Sequence, residues 1–328
     1  MSIEVDPTVL AQPEHEDYDS SGYDTSTASL TSSIHTYLFE NGRRYHSYYG
    51  TDKYLLPTDE TEQDRLDLHH EIMRLAWSNK LHGAPLSEPH RILDIGTGTG
   101  IWAIDMADAY PMAEVIGTDL SPIQPSWVPA NCRFQVDDAT IDWTFQDNSF
   151  DFIHGRNISQ GVSDWDHLTS EMMRCTVPGG YVELNENAIT VQCDDGSMKP
   201  DNPMKVYVDN LRASLVKSGR PPMDIDFMKN ALEKAGFEDV QALQVKEPVG
   251  PWPKDPRLKR VGAMVLLHTD TIFESYGMAA FTRILNMEPE AAKAICDGAR
   301  LSARNKNYHM YSFYYRVYGR KPEDTTGN

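Results

Sequence analysis

The stretch from Arg91 to Asp119 limits the folds open to this chain more than any other. Ile92 to Ile95 is a short, mostly apolar run, suited to a buried parallel strand. Gly96, Gly98 and Gly100 follow at alternate positions. Glycine takes turn conformations that other residues resist and lets a ligand approach the backbone closely. Ile101, Ala103, Ile104 and Ala107 then recur at helical spacing. A helix starting just past such a turn offers free N–H groups and a positive dipole end. Val115 to Gly117 opens a second strand with Asp119 at its carboxyl end, where an acidic side chain can accept hydrogen bonds from ribose hydroxyls. The stretch is a βαβ unit built for a nucleoside.

Glycine spacing does not choose the nucleoside. A dinucleotide fingerprint needs G-x-G-x-x-G/A. Counted from Gly96 its last position is Ile101, which fails; counted from Gly98 it is Ala103, which passes. Against NAD, no Tyr-x-x-x-Lys pair of dehydrogenase type follows the fourth strand.

Four further motifs stand in order around the glycines. Asp94 lies two residues before Gly96, Asp137-Asp138-Ala139 follows a third strand, Phe150 to Asn157 forms a fourth strand and its end, and Pro178-Gly179-Gly180-Tyr181-Val182-Glu183 leads into a fifth. This series resembles class I S-adenosylmethionine (SAM) methyltransferases. The resemblance implies an α/β fold: a Rossmann-like sheet of seven strands, the last antiparallel, with helices on both faces. It also implies SAM as cofactor, held by Asp94, Gly96, Thr97, Gly98, Gly100, Asp119, Leu120, Asp138, Ala139 and His154. Asp138 would lie near the adenine amino group and Ala139 near the ring. Trp143 is either an adenine neighbour or an ordinary core aromatic.

The chain has 328 residues, enough for one large α/β domain with insertions or two small ones, and its 40% hydrophobic content can fill a core. No apolar run reaches the roughly 18 residues of a membrane span. The four cysteines are scattered without metal or disulfide spacing, as expected of free thiols; no metal site is expected. A formal charge of −19 disfavours direct nucleic acid binding, which is built on lysine and arginine contacts.

Residues 1–32 are rich in Ser, Thr, Asp and Glu, with no Lys or Arg before Arg43, and read as a disordered acidic tail. Residues 33–82 read as an N-terminal helical cap. It begins with an aromatic-rich segment (Ile34, Tyr37, Leu38, Tyr45, Tyr48, Tyr49) and ends in an amphipathic helix whose Leu66, His69, Ile72, Met73 and Ala76 share a face. Residues 90–322 read as the methyltransferase domain that the resemblance implies, with helical insertions at about 187–222 and 256–304 and a short tail at 323–328. Within the second insertion Arg257 to Tyr276 reads as a largely buried helix, from Leu258, Val261, Val265, Leu266, Leu267 and Ile272. Glu40-Asn41-Gly42-Arg43-Arg44-Tyr45-His46, then Leu56-Pro57 with Asp59-Glu60 and Arg65-Leu66-Asp67-Leu68, all ahead of the glycine motif, resemble the fungal LaeA-like methyltransferases. That family includes velvet-complex partners and enzymes of secondary-metabolite clusters. The resemblance implies that the N-terminal segment caps the SAM site.

The residues fix no catalytic base. His154, at the end of the fourth strand, is the first candidate, though a backbone contact to the SAM methionine moiety with a packed imidazole explains it as well. His309 is the second. Tyr45, His46, Arg156, Asn157 and Tyr311 are candidates for the acceptor side; packing is the alternative for Tyr45, His46 and Tyr311, and for Arg156 it is a SAM carboxylate or a structural acid. The expected partner is a small-molecule acceptor methylated at O or N. A LaeA-like regulator acting through velvet-type proteins in the nucleus is the alternative to a cytoplasmic enzyme.

Overall fold

A computed structural model describes residues 37–47, 50 and 53–323. The expected acidic tail, Ile34, Tyr48, Tyr49 and nearly all of the C-terminal tail lie outside these. The first element differs from the expected helix. β1 (Tyr37–Glu40) and β2 (Arg43–His46) form an antiparallel hairpin with Glu40 opposite Arg43. Asn41 and Gly42 between them both take positive φ, 50° and 75°. An Asn-Gly pair adopts that two-residue turn readily, and its twist matches the strands it joins. The turn chemistry outweighed the helical reading of this aromatic-rich segment.

α1 (Glu60–Ala76) starts at Asp59, whose side chain accepts from Glu62 N, and stops before Ser78 and Asn79, both at positive φ. The predicted βαβ unit follows as β3 (Arg91–Ile95), α2 (Ile101–Ala109) and β4 (Glu114–Asp119). Then come β5 (Cys132–Val136), β6 (Phe150–Arg156), α3 (Trp165–Cys175) and β7 (Thr176–Asn187). The two-residue β8 (Gln192–Cys193) leads to α4 (Pro203–Lys217), α5 (Ile225–Ala235) and β9 (Glu238–Pro248). α6 (Pro256–Ala279), continued by a π-helical turn (Ala280–Ile284), α7 (Pro289–Ala303) and β10 (Met310–Arg320) complete the fold. α6 thus runs unbroken into its π turn.

The sheet order is β5-β4-β3-β6-β7-β10, with β9 on the far side of β10. β3 to β7 pair in parallel and β10 runs antiparallel to both neighbours. β8 extends the β7 edge at Met310 and Tyr311, so the sheet has eight strands where seven were expected. Buried side chains alternate between faces. Leu93 and Ile95 pack with α3 and α5, whereas Ile92 packs with Trp102 and Met106 of α2. A separate apolar cluster joins α4, α6 and α7 through Tyr207, Phe273, Phe281 and Cys296. Val261 and Val265 of α6 face α1, but Leu267 is 62% exposed, so α6 is buried along one stripe only.

Candidate active site

The parallel strands all end on one edge, and there the site assembles. Gly96, Gly98 and Gly100 have φ of 63°, 60° and 81°, a region L side chains rarely enter. Space is also short: a Cβ on Gly100 would lie 2.2 Å from Phe134 Cζ, and one on Gly96 2.6 Å from Ile158 Cγ2. Asp119 braces the turn. Its Oδ2 accepts from Gly98 N at 2.8 Å and its Oδ1 from Ser121 N at 2.9 Å. Burial, with Asp94 as a like charge nearby, pushes its carboxyl up to about 6. Asp94 accepts from Thr97 Oγ1 at 2.6 Å and from His154 Nδ1 at 2.7 Å.

Two openings flank Asp119. The first is a cleft lined by the glycine turn, Asp94, Asp119, Tyr54, Leu66, His69, Arg156 and Tyr276. Arg156 donates to His70 Nδ1 at 3.2 Å and has no carboxylate partner among the described residues. The second is lined by Leu120, Asp138, Ala139, Thr140 and Tyr54. There Lys53 Nζ is paired with Asp138 Oδ2, while Thr140 N and Oγ1 occupy Oδ1. Together these present a turn open to a ligand's backbone approach, a carboxylate at ribose position, a second carboxylate, and a cation able to receive a carboxylate. That donor set fits SAM, which carries an adenine amine, a ribose diol and an α-carboxylate.

Behind the cleft lies an apolar chamber of about 130 Å³, several times the roughly 30 Å³ share of one water. Its wall includes Met204, Tyr207, Leu211, Val265, Ile272 and Phe273. Cleft and chamber share His69, Asn157 and Tyr276, which form the throat between them. Donors that cannot accept fix the two histidines here. Arg65 Nη1 donates to His268 Nε2 at 2.8 Å, and Asn157 Nδ2 to His69 Nδ1 at 3.3 Å. Tyr314 in turn donates to Asn157 Oδ1 at 2.8 Å. Each imidazole therefore keeps its proton on the other nitrogen. Burial, with Arg65 close by, holds both well below the usual histidine range.

Two buried carboxyls adjoin this region. Glu186 receives Ile158 N, Ser159 N and Ser159 Oγ, and Glu247, among the described residues, receives only Asn187 Nδ2, at 3.1 Å. Burial pushes both up to about 7. A carboxyl whose folded pKa exceeds its unfolded value costs stability as pH rises from the unfolded value to the folded one, here from about 4.5 to about 7. Glu247→Gln is accordingly expected to raise the melting temperature at pH ~8 by several degrees, on the order of 3 kcal/mol, and to change it little at pH ~5. Thermal melts at the two pH values check this; equal shifts would contradict it.

The structure separates the sequence candidates. Asp94, Gly96, Thr97, Gly98 and Asp119 line the cleft, and Leu120, Asp138 and Ala139 the adjoining opening; Gly100 caps α2 behind them. Arg156 and Asn157 reach the cleft, and Tyr311 reaches the chamber, although its hydroxyl bonds Asp194 outside it. His154 as a base meets a physical obstacle. It is 1% exposed, gives its Nδ1 proton to Asp94 and stacks on Trp102 at 3.6 Å, so no acceptor reaches it. His309 is half-exposed, bonded to Asp195 beside Trp252, and lines neither cavity. Tyr45 and His46 also stand apart. Both lie buried on β2, and the hairpin turns Tyr45 into the helical cluster, under the Arg283 guanidinium at 4.7 Å. Trp143 packs in the core and donates to Ala139 O. Missed altogether were Tyr54, His69, Glu247, His268 and Tyr276. Among these only His69 carried a signal, its place on the inner face of the amphipathic helix.

A family model described as a methyltransferase domain matches residues 61–242. Methyltransferase pytC of Aspergillus terreus is 39% identical over 301 residues, covering 91% of this chain and 92% of that one. The secondary metabolism regulator LAE1 of Cochliobolus heterostrophus is 36% identical over 291 residues, covering 87% and 94%. Among solved structures, phosphoethanolamine N-methyltransferase 2 of Haemonchus contortus with bound SAM aligns with a TM-score of 0.45 at 19% identity, covering 84% of this chain and 55% of that one. A fold with its ligand edge at the glycine turn, a donor set that fits SAM, and the matches to the methyltransferase model and to pytC lead to one conclusion: the chain belongs to the SAM-dependent methyltransferase family.

Proposed function

We propose that this methyltransferase alkylates an oxygen or nitrogen of a small, largely apolar acceptor seated in the chamber behind the cleft. The observation that supports this most is the throat, where His69, Asn157 and Tyr276 border both cavities. Bound SAM supplies an activated methyl group on its sulfonium. The chain's own work is placement and exclusion of water. In this reading Asp119 receives the ribose, Asp138 and Ala139 border the adenine, and Arg156 receives the methionine carboxylate. His69 and Tyr276 then hold the acceptor atom in line.

His69 carries its free proton on Nε2, so it donates to the acceptor and does not deprotonate it. That suits a hydroxyl that ionises readily, such as a phenol or enol, whose oxyanion an N–H stabilises. It also suits an amine that arrives neutral. The test is incubation of the purified protein with methyl-labelled SAM and extract of the cells that make it. Label is expected in the organic-soluble small-molecule fraction. Label confined to protein would overturn the reading.

A further inference from the structure

We propose that Glu247 makes the β9 side of the chamber a receptor for a protonated amine on the acceptor, a group other than the one that is methylated. The inference rests on the acceptor reading above and adds the second group that the acceptor must carry.

The position comes from strand register. Arg156 of β6 pairs with Asn185 of β7, Asn187 of β7 with Tyr314 of β10, and Ser312 of β10 with Glu247 of β9. β7 and β9 both run antiparallel to β10, so they are parallel to each other, and Glu247 lies near the same sheet edge as Asn157. Three strand spacings separate the two, on the order of 14 Å between backbones. Glu247 thus enters the chamber wall from the β9 side, whereas Asn157 enters it from the β6 side.

The chemistry comes from its surroundings. Glu247 is 6% exposed and lines a wall that is otherwise mainly apolar. Asn187 is oriented by Ile189 N at 2.8 Å and Ser312 Oγ at 3.2 Å, both donating to its Oδ1, which turns its amide toward Glu247 Oε2. The other carboxyl oxygen, Oε1, has no partner among the described residues. Its neighbour in sequence, Lys246, is bound to Asp194 and does not serve it. A buried carboxyl that only one neutral amide satisfies is costly to keep unless something arrives to pair with it. Its raised pKa, about 7, leaves it a mixture of neutral and ionised forms near neutrality, ready to become a carboxylate when a cation enters. An ammonium matches that need, and a flat apolar skeleton matches the wall.

The test uses two fluorescent naphthols, one bearing an aminomethyl group at the ring end opposite the hydroxyl, the other a methyl there. Each is titrated into the full chain saturated with S-adenosylhomocysteine, as wild type and as Glu247→Gln. The aminomethyl probe is expected to bind wild type at least tenfold more tightly than the methyl probe. That preference should vanish in Glu247→Gln, which keeps the shape and is expected to fold at least as well. Equal affinities in wild type, failure of both probes to bind, or a preference that survives Glu247→Gln would each overturn the assignment. Binding of S-adenosylhomocysteine is measured on the same samples without probe. Its absence in wild type would overturn the methyl-transfer reading on separate grounds.

Discussion

Asp119→Ala is expected to weaken S-adenosylhomocysteine binding by roughly ten- to a hundredfold or somewhat more. A charge-assisted hydrogen bond contributes about 1.5–3 kcal/mol, and each 1.4 kcal/mol is about tenfold in affinity. Two losses add here. The ribose would lose an acceptor, and Gly98 N and Ser121 N would lose the carboxylate that holds the glycine turn in shape. Asp119→Asn keeps one acceptor oxygen and should fall between wild type and Ala. Calorimetric titration measures the affinities, with a melting curve to show that each variant is folded. A folded Asp119→Ala protein that binds like wild type would place the ribose elsewhere.

The largest effect on folding is expected at Glu183, which lines neither the cleft nor the chamber. It is fully buried. Its Oε2 accepts from Gly83 N at 2.6 Å and Ala84 N at 3.1 Å, and its Oε1 lies 3.2 Å from Arg316 Nε. Arg316 is itself buried, bonded to Asn185 Oδ1 and stacked on Trp77 at 4.4 Å. Glu183→Ala would leave a guanidinium unpaired in the interior and two backbone donors unmet. Breaking a buried pair from one side costs about 3–5 kcal/mol. Urea unfolding should show a loss of that size. The double variant Glu183→Ala, Arg316→Met should recover part of it, because the stranded charge is gone. A loss below about 1 kcal/mol would contradict this account.

Legibility in the sequence followed the range of the interactions. Elements with local signals were readable: α5 begins at the Asp224 cap and ends at Gly236, in αL conformation, and α7 begins with Pro289 at its first turn. The glycine turn and Asp119 were legible because their spacing is itself the mechanism. Asn41-Gly42 also carried a local signal, but the segment around it was read as part of a helical cap instead. The acceptor side was not legible. Arg65 meets His268 across 203 residues and Asn187 meets Glu247 across 60, and nothing near either partner announces the other. Leu267 shows the same limit from the other side, since which stripe of α6 is covered depends on α1 and α4.

The Lys53–Asp138 pair changes what it means for a nucleoside to bind here. Lys53 is tethered a single residue from Tyr54, which borders both the cleft and the second opening. Its ammonium is therefore an intramolecular competitor, present at the high local concentration that a short tether imposes. Any amine arriving at Asp138 must share or displace it. Salt weakens that competitor as it weakens other partly exposed ion pairs. Occupancy of this end of the site is thus an exchange between two cations or donors for one carboxylate, and not the filling of an open place.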